Sequence, residues 1–259
     1  MYSFVDPVTG SKDHVPTPLR TVFNGKNLDE KLTDETGLFR TLTVSGRGVL
    51  ARRINTNEAP YKHGLIERGY TYQERVIEVK FLITDQTSEG LRDRFNRLNA
   101  LLLGRKKRLK FTDEDAYFYA TLQQGEIPEE DQNQLIGTLT FLCSDPAKYK
   151  ESHTITVSNE WQTYNIEGQA TTLWTTRTVF SGTVSHYMLE SNLGKIVLNY
   201  EFGKNDVLVI DYEKRKITLN GVTRMPFLSF DSVWFKLQAG EMELQASEPT
   251  ELTYTERYY

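Results

Sequence analysis

Apolar residues in this chain recur at every second position in segment after segment, and that periodicity directs it to a mainly β fold. The clearest case is Ile77, Val79, Phe81 and Ile83, which alternate with Glu78, Lys80 and Leu82. A strand with one face turned to a core reads in this way, because successive side chains point to opposite sides of the pleat. Leu139, Phe141 and Cys143 repeat the pattern against Thr138 and Thr140, and residues 109–111 and 117–122 supply two more strands. Aromatic residues make up 12% of the chain, and spread among Thr and Val they favour the same pleated environment.

One segment breaks the two-residue rhythm. Leu91, Phe95, Leu98 and Leu102 fall at helical spacing, which predicts a helix with one apolar stripe. Thr87 or Ser88 caps its start, Glu89 meets the positive end of the dipole, and Gly104 ends it. Arg92, Asp93, Arg94 and Asn96 are expected to face away from the core. No other helix is expected.

From residue 43 to 72 the sequence is polar, basic and punctuated by Gly46, Gly48, Gly64 and Gly69, as in a long exposed hairpin or loop. An acidic tip is expected at residues 126–131. Asp145-Pro146 stops the last strand of the first half, since proline cannot donate to a ladder. Beyond Tyr149 only short strands and turns follow, with candidates at 153–157, 187–190, 195–200, 207–212, 216–219, 233–237, 242–246 and 252–258. Lys214-Arg215 and Asn220-Gly221 mark tight turns. Many short strands at this spacing read as a β-sandwich. With 259 residues the chain has room for two domains, expected at 1–148 and 149–259, with the junction near 147–152.

Charge and cysteine content narrow the function classes. A net charge of −4 gives no basic excess for a specific nucleic-acid partner. The start, Met1 to Pro7, has neither the basic flank nor the apolar core of a signal peptide. Apolar runs such as residues 100–103 fall far short of the roughly 20 residues that cross a bilayer, so no membrane insertion is expected. Cys143 is the single cysteine, which excludes an intrachain disulfide and suits a reducing compartment. Its place on the apolar face of a strand points to an inert buried thiol.

No constellation for catalysis, metal or cofactor emerges. His14, His63, His153 and His186 are scattered and fit no ligand spacing. Asp113-Glu114-Asp115 lacks the glycine and distal glutamate of a calcium loop and reads as a charged turn. Glu241 and Glu243 share a strand face but nothing places them around a sugar. The basic run from Arg105 to Arg108 with Lys110 follows a helix C-terminus, where cations are favoured in any case. There is no Gly-x-Ser-x-Gly elbow and no Gly-rich phosphate loop. The chain is therefore not expected to be an enzyme. Trp234 stands apart: with Val233, Phe235 and Leu237 on one face of its strand, it shares the other with Ser232 and Lys236. Such a ring could stack on a ligand or be covered by an interface.

An ordered series in the first half resembles the N-terminal domain of the siphophage distal tail protein family. It runs through Arg75-Val76-Ile77-Glu78-Val79-Lys80-Phe81, the helix end Leu98-Asn99-Ala100-Leu101-Leu102, Leu109-Lys110-Phe111-Thr112-Asp113 and Tyr117-Phe118-Tyr119-Ala120. It closes on Gly137 to Pro146, with Tyr149 just beyond. The second half resembles the family's galectin-like C-terminal sandwich through Val207-Leu208-Val209-Ile210-Asp211 and Trp234-Phe235-Lys236-Leu237 up to Gly240. The resemblance implies a tail-tube-like N-terminal β-sandwich carrying one helix and an extended loop, followed by that galectin-like sandwich.

It implies, further, a structural virion protein at the tail tip, or in the host cytoplasm if a prophage encodes it. Six copies would form a ring under the major tail tube protein. The tail-associated hub or lysin protein would lie below, and receptor-binding or baseplate proteins would attach outside. No cofactor is implied. Within such a ring, the 46–69 segment with Arg47, Arg52, Arg53 and Arg68 is the expected intersubunit arm. An alternative is a carbohydrate-binding adsorption module acting through the C-terminal domain.

Overall fold

The computed structural model describes residues 18–129 and 132–259; the Met1–Pro7 reading, His14 and the last part of the acidic tip lie outside them. The chain is mainly β and divides into two compact units. The first comprises residues 1–47, 76–115 and 120–142, and the second 48–75, 116–119 and 143–259. The sequence placed 48–75 with the first unit, whereas its contacts group it with the second.

In the first unit, the strand Gly37–Ser45 pairs antiparallel with Arg75–Asp85, with a bulge between Thr41 and Thr43. Tyr117–Glu126 pairs antiparallel with Gln134–Cys143. The expected alternation holds: Ile77, Val79, Phe81 and Ile83 are fully buried, and so are Phe141 and, at the head of the second unit, Cys143. Phe39 stacks on Phe81 with ring centroids 4.9 Å apart. The helix spans Ser88–Leu101, with the Thr87 hydroxyl accepting from the Gly90 amide and Gly104 at φ +100° beyond its end. A four-residue helix, Leu28–Lys31, also forms; it is too short to leave a periodic signal.

Arg94 corrects the sequence reading. Its side chain does not face solvent but is 2% exposed. It donates to Asp34 at 2.8 Å, to Asp85 at 2.7 Å, to Thr36 at 3.2 Å and to the Leu32 carbonyl. Arg94 holds the Asp34 and Asp85 carboxyls well below the ordinary range. Gly37 makes the approach feasible, because a Cβ there would stand 2.8 Å from the guanidinium and 2.1 Å from the Thr84 carbonyl oxygen.

The second unit is a sandwich. One sheet runs through Val222–Thr223, Lys216–Leu219, Val207–Asp211, Trp174–Val179, Thr250–Tyr258 and Lys148–Val157, all antiparallel neighbours. The other orders Gln162–Ile166, Gly240–Ala246, Val184–Ser191 and Gly194–Phe202. Both contribute to a single core: Trp174, Ile210 and Leu252 from one, Leu189, Ile196 and Leu244 from the other. Burial at roughly 25 cal/mol per Å2 of apolar surface is what holds two such sheets face to face. Asn220 and Gly221 adopt φ +51° and +79° in the expected tight hairpin. Residues 233–237 lie outside any strand, held by a bridge between Leu237 and Thr172, by the Val233 amide donating to the Lys195 carbonyl at 2.7 Å and by the Trp174 indole donating to the Phe235 carbonyl at 2.8 Å. Gln162–Ile166 and Trp174–Val179 are strands that the sequence reading passed over.

Candidate interaction surfaces

The polar segment after Gly46 folds as a two-stranded hairpin, Arg52–Asn57 with Ile66–Tyr72. Every residue of its first strand is exposed, as are most of the second. Arg52 lies over the rings of Tyr70 and Tyr72, at 4.5 and 5.6 Å, while Arg53 and Arg68 are exposed. Arg47 behaves differently from these three. It makes a bidentate pair with Asp113 at 2.7 and 2.9 Å and covers the Phe111 ring, so it is already engaged inside the first unit.

The hairpin root is held by Arg75, which is 2% exposed. Its Nη1 donates to the Gly48 carbonyl at 3.0 Å and its Nε to the Pro146 carbonyl at 2.9 Å, and the guanidinium lies over Phe118. A second anchor is the ring of Tyr72, stacked on Tyr259 with centroids 4.3 Å apart. Arg257 lies over that same Tyr259 ring and makes a bidentate pair with Asp145 at 2.7 and 2.8 Å. Asp145 also accepts from the Tyr149 hydroxyl at 2.6 Å. Burial pushes the Asp145 carboxyl up, but the bonds from Tyr149 and Arg257 outweigh it and the net shift is downward. Sequence reading missed this cluster. Asp145 and Arg257 stand 112 residues apart, and no local spacing joins them.

Trp234 is half-buried and packs on the sandwich core. Its ring faces Trp174 at 6.4 Å and meets Tyr212 edge-on at 5.9 Å, with the Arg215 guanidinium over it at 4.9 Å. Lys236 is exposed beside it as expected, and Phe235 and Leu237 are buried, but Val233 is exposed. Glu241 and Glu243 are both exposed on one strand face. Cys143 is fully buried, and burial pushes its thiol up to about 12. Among the described residues, no group of three or more His, Cys, Asp or Glu is placed to hold a metal.

A cavity of about 430 Å3 opens wholly within the second unit. Tyr117, Tyr119 and Tyr149 wall one side, their ring centroids 5.1–5.7 Å apart. Thr172, Thr175, Thr253 and Thr255 line it, and Glu213, Lys236 and Arg257 border it.

Residues 26–143 match the phage tail protein RIFT-related domain, and residues 167–258 match the C-terminal domain of the siphovirus-type tail component. The chain is 30% identical over 234 residues to the distal tail protein of Bacillus phage SPP1, covering 87% of this chain and 92% of that one. The crystal structure of SPP1 Dit, described as a paradigm of the hub adsorption apparatus in phages infecting Gram-positive hosts, is similar with a TM-score of 0.84 at 23% identity. That similarity covers 94% of this chain and all of the other. A chain of the phage p2 baseplate in its calcium-activated conformation is similar at a TM-score of 0.53 and 12% identity, over 84% and 90% of the two chains.

Proposed function

The chain belongs to the siphovirus distal tail protein family, and on that footing we propose that six copies close into a ring joining the tail tube to the adsorption apparatus. It is a structural phage tail protein of the distal hub type, as its relatives are, and not an enzyme.

The observation that carries the ring is the hairpin Arg52–Asn57/Ile66–Tyr72. Two strands alone are marginal in water, and this pair buries almost none of its own side chains. A neighbouring subunit is the surface it lies on in our reading, with Arg52, Arg53 and Arg68 as its polar contacts, while Arg47 stays paired with Asp113. Head-to-tail contacts of this kind close when the rotation per subunit divides the circle.

Residues 1–148 act as the ring-forming domain beneath the major tail tube protein. Residues 149–259 project outward and carry receptor-binding or baseplate proteins, with the hub or lysin protein below. The partly covered ring of Trp234 serves as a packing or interface aromatic in this arrangement. Its site of action is the virion tail tip.

Light scattering on the full chain tests the ring. A solution mass near six times 29.9 kDa is the expected result. A chain that stays monomeric at high concentration and in the presence of the tube protein overturns it.

A further inference from the structure

The sequence holds two Asn-Gly pairs, Asn24-Gly25 and Asn220-Gly221, and each forms the two-residue turn of an antiparallel hairpin. One turn joins Thr21–Phe23 to Lys26–Asn27, with Phe23 opposite Lys26. The other joins Lys216–Leu219 to Val222–Thr223, with Leu219 opposite Val222. Their backbones match. Asn24 and Asn220 both stand at φ +51°, and Gly25 and Gly221 at +76° and +79°, the pattern this dipeptide favours in hairpins. The backbone N–H of Asn24 donates to the Arg108 carbonyl at 2.8 Å, and that of Asn220 to the Val207 carbonyl at 2.9 Å. All four turn residues are exposed.

The side chains do not match. Asn220 Oδ1 accepts from the Val207 N–H at 2.9 Å, and its Nδ2 donates to Asp206 Oδ1 at 2.8 Å. The side chain of Asn24 makes no hydrogen bond among the described residues. That difference bears on a reaction open to an Asn-Gly pair, because glycine has no Cβ to shield its own backbone nitrogen. The glycine nitrogen, having lost its proton to hydroxide, attacks the asparagine Cγ. A new N–C bond closes a cyclic imide, the Cγ–Nδ2 bond breaks, and Nδ2 takes up a proton and leaves as ammonia. Water then opens the imide at either carbonyl to give aspartate or isoaspartate, and nothing is oxidised or reduced. To bring Cγ onto the Gly221 nitrogen, Asn220 must release both side-chain bonds, one of them to a carboxylate. Their loss slows the reaction on the order of a hundredfold. Asn24 has none to release. The backbone flexing that ring closure needs is common to the two turns and cancels.

We propose that Asn24 is a site of spontaneous deamidation in the folded protein, and that the grip of Asp206 and Val207 spares Asn220. Either product puts a carboxylate beside Lys26, on a turn whose backbone is bonded to Arg108 of the basic run. Isoaspartate also routes the main chain through the former side chain, lengthening a turn that has no slack. Phe23, on the near flank of that turn, is fully buried, so a mismatch of Phe23 with Lys26 reaches the core of the first unit. The site lies within one hairpin of one chain and does not depend on the ring.

Timed incubation of the full chain at mildly alkaline pH, with peptide mapping by mass spectrometry at both asparagines, tests this. In the folded protein Asn24 should convert at least about tenfold faster than Asn220, and in concentrated urea the two rates should converge. Asp206→Ala should speed conversion at Asn220 by roughly tenfold and leave Asn24 unchanged. Because Asp206 also accepts from the Gly203 N–H, the thermal midpoint of that variant is recorded alongside; the comparison of folded and urea-treated wild type needs no variant. Equal rates in the folded chain, faster conversion at Asn220, or a ratio that persists in urea overturns the site. So does an Asn24 still intact once the urea sample has converted, or an Asn220 that a folded Asp206→Ala chain still protects.

Discussion

Two antiparallel hairpins of this chain meet opposite fates. Val184–Ser191 and Gly194–Phe202 are joined by two residues, and across them Tyr187 faces Leu198 and Leu189 faces Ile196, all four fully buried. Arg52–Asn57 and Ile66–Tyr72 pair just as regularly, with Ile54 facing Tyr70, yet both of these are about half exposed. Both ladders are antiparallel, with one register shift each. The difference is whether one face of the ribbon is apolar from end to end, and it teaches that pairing sets the shape of a hairpin while side-chain burial decides whether it belongs to the monomer.

The largest effect should come from excision. Replacing residues 52–71 by a short Gly-Ser linker is expected to take the assembly from six subunits to one by light scattering, with the monomer midpoint moved by no more than about 2 °C. Arg47, Gly48, Tyr72 and Arg75 stay in place in that variant. An unchanged oligomer of equal stability would break the contrast. The matched point changes come next. Leu189→Ala should cost about 3 kcal/mol in chemical denaturation, since it opens a cavity in a closed core, whereas Ile54→Ala should stay within about 0.5 kcal/mol in the monomer.

A smaller effect is expected at the hairpin root. Arg75→Met removes the bonds to the Gly48 and Pro146 carbonyls and should lower hydrogen-exchange protection of the hairpin amides by about 2 kcal/mol, leaving helix Ser88–Leu101 protected. Acidification should act more gently still. The Asp145 carboxyl lies below its ordinary value of 3.8 when folded, so its contribution is present above that pH and is lost as pH falls through the lowered value. Because Asp145 holds Arg257, and Arg257 covers the ring on which Tyr72 stacks, limited proteolysis below pH 4 should cut between residues 48 and 75 before the sandwich opens. Cleavage inside the sandwich first would show that the root does not depend on this carboxylate.

The strands with one buried face were legible, because Ile77 to Ile83 and Leu139 to Cys143 write their burial into every second letter. The helix was legible for the same reason, down to its Thr87 cap. Arg94 was not. Its charge argued for solvent, and only the convergence of Asp34, Thr36 and Asp85, brought in from other parts of the chain, makes burial affordable. Trp174–Val179 was missed because its inward positions alternate Trp, Thr, Thr, and a buried threonine does not register as apolar. Residues 233–237 alternated like a strand but lack a ladder partner except at Leu237. The cavity lining gave no local signal either, since its members come from six separated stretches of the chain.

One consequence of the buried Cys143 thiol concerns time rather than structure. At neutral pH, with the thiol pushed up to about 12, the folded protein presents almost no thiolate and no path for a reagent to reach it. Modification by a maleimide must therefore wait for the end of strand Gln134–Cys143 to come away. The rate of a single labelling event then counts openings of the chain at the place where the first unit hands over to the second. A disulfide-linked dimer found in any preparation would be a record of molecules that had unfolded there first.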